Sequence, residues 1–206
     1  LYRDGSGLQR LAKGTAGQAL LMNSGANAPE WVDASGGKTL QVQQTLFSTG
    51  ENIANGNFGG TFRELSNSME ATFTPQKSTS KIMVSFQPHI FGHNNGGTNW
   101  DSINAEIRYR YSSSSPTSDT VIPENKGDGY FGVIAFGDLS GLSGSHWIHH
   151  AINKTFLHDH DTPSGETITY TMYVKSQANT ASYDWRVNER GSEDGAGRII
   201  LTELDI

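Results

Sequence analysis

The 206-residue chain contains no cysteine, which excludes a disulfide scaffold, a thiolate zinc site and a cysteine nucleophile. Charge is scarce as well: Asp, Glu, Lys and Arg make up 17% of the chain, against about 25% in ordinary soluble domains. Ser, Thr, Asn, Gln and Gly fill the deficit. The 15 Lys and Arg are outnumbered by 21 Asp and Glu, for a formal net charge of −6. The clustered cations that a phosphate backbone demands are missing, so nucleic acid is not an expected partner. No run approaches about 18 consecutive apolar residues, so no membrane-inserting helix is expected. A charged n-region followed by an apolar stretch, the mark of a signal peptide, is also absent. The chain starts at Leu1 and reads as the ordered C-terminal part of a longer polypeptide.

What is present divides in two. Residues 1–36 are rich in Gly, Ala, Asn and Ser, with isolated apolar beats at Leu8, Leu11, Leu20, Leu21, Met22, Trp31 and Val32. Gly5, Gly7, Gly14, Gly17 and Gly25 interrupt any helix, at a cost of about 1 kcal/mol each relative to Ala. Too few apolar residues remain for a private core, so the segment is expected to be largely extended and to need another surface or other chains. Residues 37–206 carry a different signal, period-two alternation. Ile82, Val84, Phe86 and Ile90 alternate with Lys81, Met83, Ser85, Gln87 and His89; Ile103, Ala105, Ile107, Tyr109 and Tyr111 with Asn104, Glu106, Arg108 and Arg110; Ile168, Tyr170, Met172 and Val174 with Thr167, Thr169, Thr171 and Lys175. Turn clusters such as Asn94-Asn95-Gly96-Gly97 and Lys126-Gly127-Asp128-Gly129 separate these runs. The pattern predicts an all-β, antiparallel, jelly-roll-like β-sandwich of roughly ten short strands. The last run, Gly197 to Ile206, is apolar on both faces, as for a central strand or one packed on a neighbouring subunit.

Candidate chemistry is sparse. Five of the seven His lie between positions 146 and 160, and His158-Asp159-His160-Asp161 offers nitrogen and oxygen donors suited to zinc, nickel or iron. His158 and His160 are the preferred ligands of such a site, although a solvated loop or a subunit contact explains the same cluster, and no other cofactor is expected. No two carboxylates are spaced for glycoside hydrolysis. Ser145, His146 and Asp159 form a triad only on paper, with no Gly-x-Ser-x-Gly elbow in support. The chain reads as no enzyme. For binding, Asn95, Asn99, Trp100 and Asp101 combine an aromatic face with amide and carboxylate groups, the pairing that sugar recognition uses; plain loop packing is the alternative.

Two stretches resemble a known family. Leu8-Gln9-Arg10-Leu11-Ala12-Lys13-Gly14-Thr15-Ala16-Gly17-Gln18-Ala19-Leu20, continuing to Trp31, is similar to an L-x-x-L-x-x-G-T-A-G-Q-x-L…W element of bacteriophage tail-fibre and appendage proteins. Thr74-Pro75-Gln76-Lys77-Ser78-Thr79-Ser80-Lys81-Ile82-Met83-Val84 resembles the T-P-x-x-x-x-S-K-I-x-V turn and strand of fibre-head β-sandwiches. Asp161-Thr162-Pro163, Thr169 to Ser176 and Leu201-Thr202-Glu203-Leu204 follow in the order of that pattern. The resemblance touches about a third of the chain. It implies an intertwined homotrimer in the virion, in which residues 1–36 act as a shaft that brings Leu8, Leu11, Leu20 and Trp31 to a shared axis and residues 37–206 form the head. The alternative is that 1–36 drapes over the sandwich of its own chain. The implied function is attachment to the bacterial host, with a surface polysaccharide or protein as receptor and other tail or capsid proteins as partners; three weak loop contacts would act by avidity. Two further readings stay open: a capsid decoration or fibre-capping protein that binds virion partners alone, and a monomeric carbohydrate-binding accessory module.

Overall fold

A computed structural model describes residues 1–33, 37–53, 62–65, 69–95, 103–113, 120–122, 134–135, 145–161, 165–176, 183–188 and 197–206. All regular structure among them is antiparallel β, with no helix. The chain forms two compact units, Leu1–Lys38 and Thr39–Asp205.

The first unit contains two hairpins. β1 (Tyr2–Asp4) pairs with β2 (Gly7–Gln9), and β3 (Gln18–Met22) pairs with β4 (Pro29–Asp33). The first turn is closed by the Asp4 carboxylate, which accepts the Ser6 N–H at 2.8 Å. Gly7 follows at φ +125°, a conformation that side chains rarely adopt. Among the described residues, none of the buried apolar ones lies in this unit, in line with a segment too poor in apolar side chains for its own core.

The second unit holds the remaining strands: β5 (Lys38–Phe47), β6 (Glu51–Ile53), β7 (Arg63–Glu64), β8 (Glu70–Phe73), β9 (Lys81–Gln87), β10 (His89–Asn95), β11 (Ile103–Tyr111), β12 (Thr120–Val121), β13 (Ile134–Ala135), β14 (Ser145–Ala151), β15 (Lys154–Asp159), β16 (Ile168–Ser176), β17 (Tyr183–Val187) and β18 (Gly197–Asp205). Two of its strand sets run in the orders β15-β9-β18-β5 and β14-β10-β17-β6. The orders match because β9 leads into β10 across Pro88, and β14 into β15 across Ile152 and Asn153. They are two halves of one long four-stranded sheet. Pro88 has no N–H to give to the ladder. The break is bridged by Ile152 N–H donating to Pro88 O at 3.2 Å and Asn188 N–H donating to His89 O at 2.7 Å.

The second sheet has β12 and β13 on one side of β11, then β16, then β7 and β8. Successive long strands cross from sheet to sheet at each step except from β11 to β12 and β13. Side chains from both sheets meet in one core. Ile82, Val84, Phe86, Ile199 and Leu201 from the first join Ile103, Ala105, Ile107, Ile168, Tyr170, Met172 and Val174 from the second. These are the residues that alternation assigns to the inner face, since side chains on a strand point to opposite sides in turn. The terminal strand β18 is central, between β9 and β5.

The outer faces of the two sheets differ. The second carries ion pairs: Arg110 reaches Glu64 at 3.0 Å and Glu70 at 2.7 Å, and the Arg108 guanidinium lies 4.2 Å from the centre of the Tyr173 ring. The first carries large apolar side chains among polar ones, together with the Lys81–Asp159 ion pair at 3.0 Å. On β5, Gln43 donates to Thr72 O of the opposite sheet and Phe47 enters the core, so Leu40, Val42 and Leu46 face outward; Val42 and Leu46 are each 60% exposed. Ile200 and Leu204 of β18 continue this face, and Met83 and Leu157 complete it as direct cross-strand partners.

Candidate functional site

The preferred metal ligands lie on the inner face of the first sheet. Phe156, His158 and His160 follow one another at every second position, so all three turn toward the second sheet, and both imidazoles are buried. His158 Nδ1 is 2.8 Å from the Tyr170 hydroxyl on β16. Its ring also lies 4.4 Å from the Tyr109 ring, centre to centre. Burial, followed by the neighbouring His160, lowers the His158 pKa to about 4 against the opposing pull of Asp159. His158 is therefore a neutral imidazole that links the two sheets. Burial also lowers His160, with Glu203, Asp159 and Asp161 opposing; its Nε2 lies 3.3 Å from Ser80 Oγ. The two rings are 6.4 Å apart, and among the described residues no group of three or more His, Asp or Glu is placed to hold a metal ion.

Next to His160 sits a carboxylate that sequence reasoning passed over. Glu203, on β18, is fully buried. It accepts the backbone N–H of Gln76 at 2.9 Å and of Lys77 at 3.0 Å, the Ser80 hydroxyl at 2.6 Å and Gln41 Nε2 at 2.7 Å. Burial pushes its pKa up, but hydrogen bonds from Ser80, Gln76, Gln41 and Lys77 outweigh that and hold it below the usual carboxylate range. Gln41 also donates to Thr74 O at 2.8 Å. Thr74, Pro75 and Ser80 belong to the Thr-Pro…Ser-Lys-Ile stretch, and Glu203 to the Leu-Thr-Glu-Leu ending. Both motifs thus meet in one clamp that fixes the turn before β9. The clamp has a Ser, a His and a Glu, but the acid holds the serine rather than the histidine. Ser80 is buried, which does not suit a nucleophile that must meet substrate.

The other paper triad is dispersed. His146 lies opposite Asn94 at one end of the long sheet, and Asp159 opposite Lys81 at the other. The thirteen residue steps from one to the other correspond to about 40 Å of extended strand.

The sugar-binding candidates Asn99, Trp100 and Asp101 lie outside the described residues. Asn95 closes β10 opposite Ser145. Of the shaft candidates, Leu8 is 75% exposed and Leu20 51%, while Leu11 is half-buried. Trp31 has a defined local role. Its indole N–H donates to Ala12 O at 2.7 Å, and its ring covers Gly14 so closely that a Cβ there would sit 2.5 Å from it. Gln18 completes this element: its side-chain oxygen accepts Thr15 N–H at 2.9 Å, with Gly17 between them at φ +87°. The Gly-Thr-Ala-Gly-Gln motif is therefore a glutamine-closed turn under a tryptophan.

A polar cleft of about 200 Å³ opens where the long sheet breaks, lined by Gln87, His89, Ile152, Asn153 and Arg198. Nothing in the spacing of these residues reveals it, because three separate stretches of chain supply them. No protein-family model matches the chain, and no curated protein matches it either.

Proposed function

We propose that this chain is a non-enzymatic structural component of a virion, the C-terminal part of a phage tail fibre or related appendage, and that it attaches the particle to a bacterial surface as a homotrimer. The observation that carries the reading is the contrast between the two outer sheet faces. One is laced with Arg–Glu pairs; the other presents Val42, Leu46, Met83, Leu157, Ile200 and Leu204 together. These side chains alternate with Ser85, Thr202 and the Lys81–Asp159 pair, but so many large apolar groups on one sheet face suit an interaction surface, and a second copy of the chain covers it without a new partner. The first unit, with exposed Leu8, Leu20, Leu21 and Met22 and no core, calls for the same kind of cover.

The strand orders support a jelly roll. Antiparallel sheets with repeated crossings between them are the arrangement of a jelly-roll sandwich. Three copies on one axis would present the same loops three times, so that weak single contacts gain by effective concentration. The direct test uses whole cells. The purified head is expected to bind the bacterial host and to compete with the virus for adsorption. Binding to the virus particle but not to cells would favour a capping or decoration protein instead.

A further inference from the structure

The cleft at the sheet break has a donor-rich lining. Gln87 and Arg198 are direct cross-strand partners on the outer face; His89 follows Pro88, and Ile152 and Asn153 form the link between β14 and β15. Arg198 is exposed and makes no ion pair among the described residues. Among the described residues, no carboxylate lines the cleft. The Asn153 amide is oriented by its neighbours: its oxygen accepts the Ser85 hydroxyl at 3.2 Å, and Thr155 Oγ1 in turn donates to Ser85 Oγ at 3.1 Å. With the oxygen engaged on the sheet side, the amide nitrogen turns its two hydrogens away from Ser85. Gln87 Nε2 also points back to Ser85, at 3.4 Å, which leaves its oxygen as an acceptor.

The result is an arrangement with a guanidinium for a carboxylate, amide donors and an acceptor for hydroxyls, an imidazole and one aliphatic wall. Its volume of about 200 Å³ is below the roughly 300–1,000 Å³ of pockets that take drug-sized ligands. Arginine's planar fork matches a carboxylate in a two-pronged contact.

We propose that this cleft binds the carboxylated ring of an acidic sugar, a single uronic-acid unit of a surface polysaccharide, with Arg198 on the carboxylate and Gln87, His89 and Asn153 on the hydroxyls. The proposal rests on the surface-attachment reading and gives it a receptor chemistry. The test is saturation-transfer NMR on the intact chain with D-glucuronate and D-galacturonate as probes, D-glucose and D-galactose as neutral counterparts, and inorganic phosphate as a competitor. Saturation of a uronate, weakened at least tenfold in R198A and in N153A, is expected. Both side chains are exposed, and an unchanged thermal midpoint would verify that the variants fold. Equal saturation of the neutral sugars, displacement by equimolar phosphate, or a response unchanged in R198A would each overturn the proposal, as would no uronate binding at all. Adsorption to host cells is measured alongside. Wild-type adsorption without uronate binding would sink the cleft and leave attachment standing, whereas uronate binding without adsorption would do the reverse.

Discussion

Replacing Glu203 by alanine is expected to cost about 3 kcal/mol of stability, since it strips an acceptor from four donors at once: Gln76 N–H, Lys77 N–H, the Ser80 hydroxyl and Gln41 Nε2. A buried donor left without an acceptor costs about 1–3 kcal/mol. The four costs do not simply add, because Gln76 and Lys77 lie at the surface and water reaches their amides once the turn loosens. E203Q keeps the shape and one acceptor oxygen but aims an NH₂ group at donors, so it is expected to lose about half as much. Urea denaturation at fixed protein concentration reads both values. Hydrogen exchange adds a local readout: the amides of Gln76 and Lys77 should lose protection in E203A while those of β16 keep theirs. A loss below about 1 kcal/mol for E203A would mean that the clamp does not hold the turn.

The second large effect is a dependence on acid. An unfolded chain protonates the His158 imidazole near the ordinary value of 6.5, whereas the folded protein does so only at about 4. Between those values the unfolded state binds more protons, so stability falls as the pH falls and is flat above the upper one. The interval of 2.5 pH units corresponds to about 3 kcal/mol. His160 is shifted in the same direction and adds to the loss. The depressed Glu203 carboxyl contributes stability above its unfolded value that disappears as the pH falls through its folded one. All three groups therefore make the head labile to acid. The groups that face His158 are Tyr109, Tyr170 and His160, with Asp159 beside it in sequence. Urea midpoints measured from pH 7.5 to pH 4.5 should decline, and H158F should flatten most of that slope. The same variant should lose about 1–2 kcal/mol at neutral pH, because the Tyr170 hydroxyl is left without its partner. An H158F curve parallel to wild type would assign the acid response elsewhere.

The inner faces of the strands were legible because burial on one side forces alternation. Ile82, Val84 and Phe86, Ile103, Ala105 and Ile107, and Ile168 to Val174 are core residues as the pattern requires. In the terminal strand the inward residues are Ile199 and Leu201, with Glu203 in line; Ile200 and Leu204 turn outward. A strand apolar on both faces does not declare which face meets its own core. The His158-Asp159-His160 run had a readable phase too. Counted from Phe156, both histidines fall on the inner face, where an imidazole is more readily a partner for tyrosine than a ligand.

What sequence could not yield is pairing at long range. Ser80 and Glu203 stand 123 residues apart, and nothing local ties them. The junction of β9 and β10 is different: the alternation from Lys81 to Ile90 reads as one run, and the two strands follow each other end to end across Pro88. In residues 1–36 the glycines argued against helix and for extended chain, yet the two hairpins depend on turn chemistry at Gly7, Gly17 and Asn23 more than on apolar periodicity. The cleft at Arg198 escaped for the same reason as the clamp, since its wall is assembled from segments the chain order keeps apart.

A homotrimer requires that the outer face bearing Val42, Leu46, Ile200 and Leu204 be covered by other copies of this chain. Light scattering during size exclusion measures it most directly. A native mass of three times 22.4 kDa, falling to a single chain mass when Val42 and Leu46 are both changed to Glu, is the predicted result. A wild-type protein that elutes as a monodisperse monomer of 22.4 kDa would contradict the trimer, and the avidity mechanism with it.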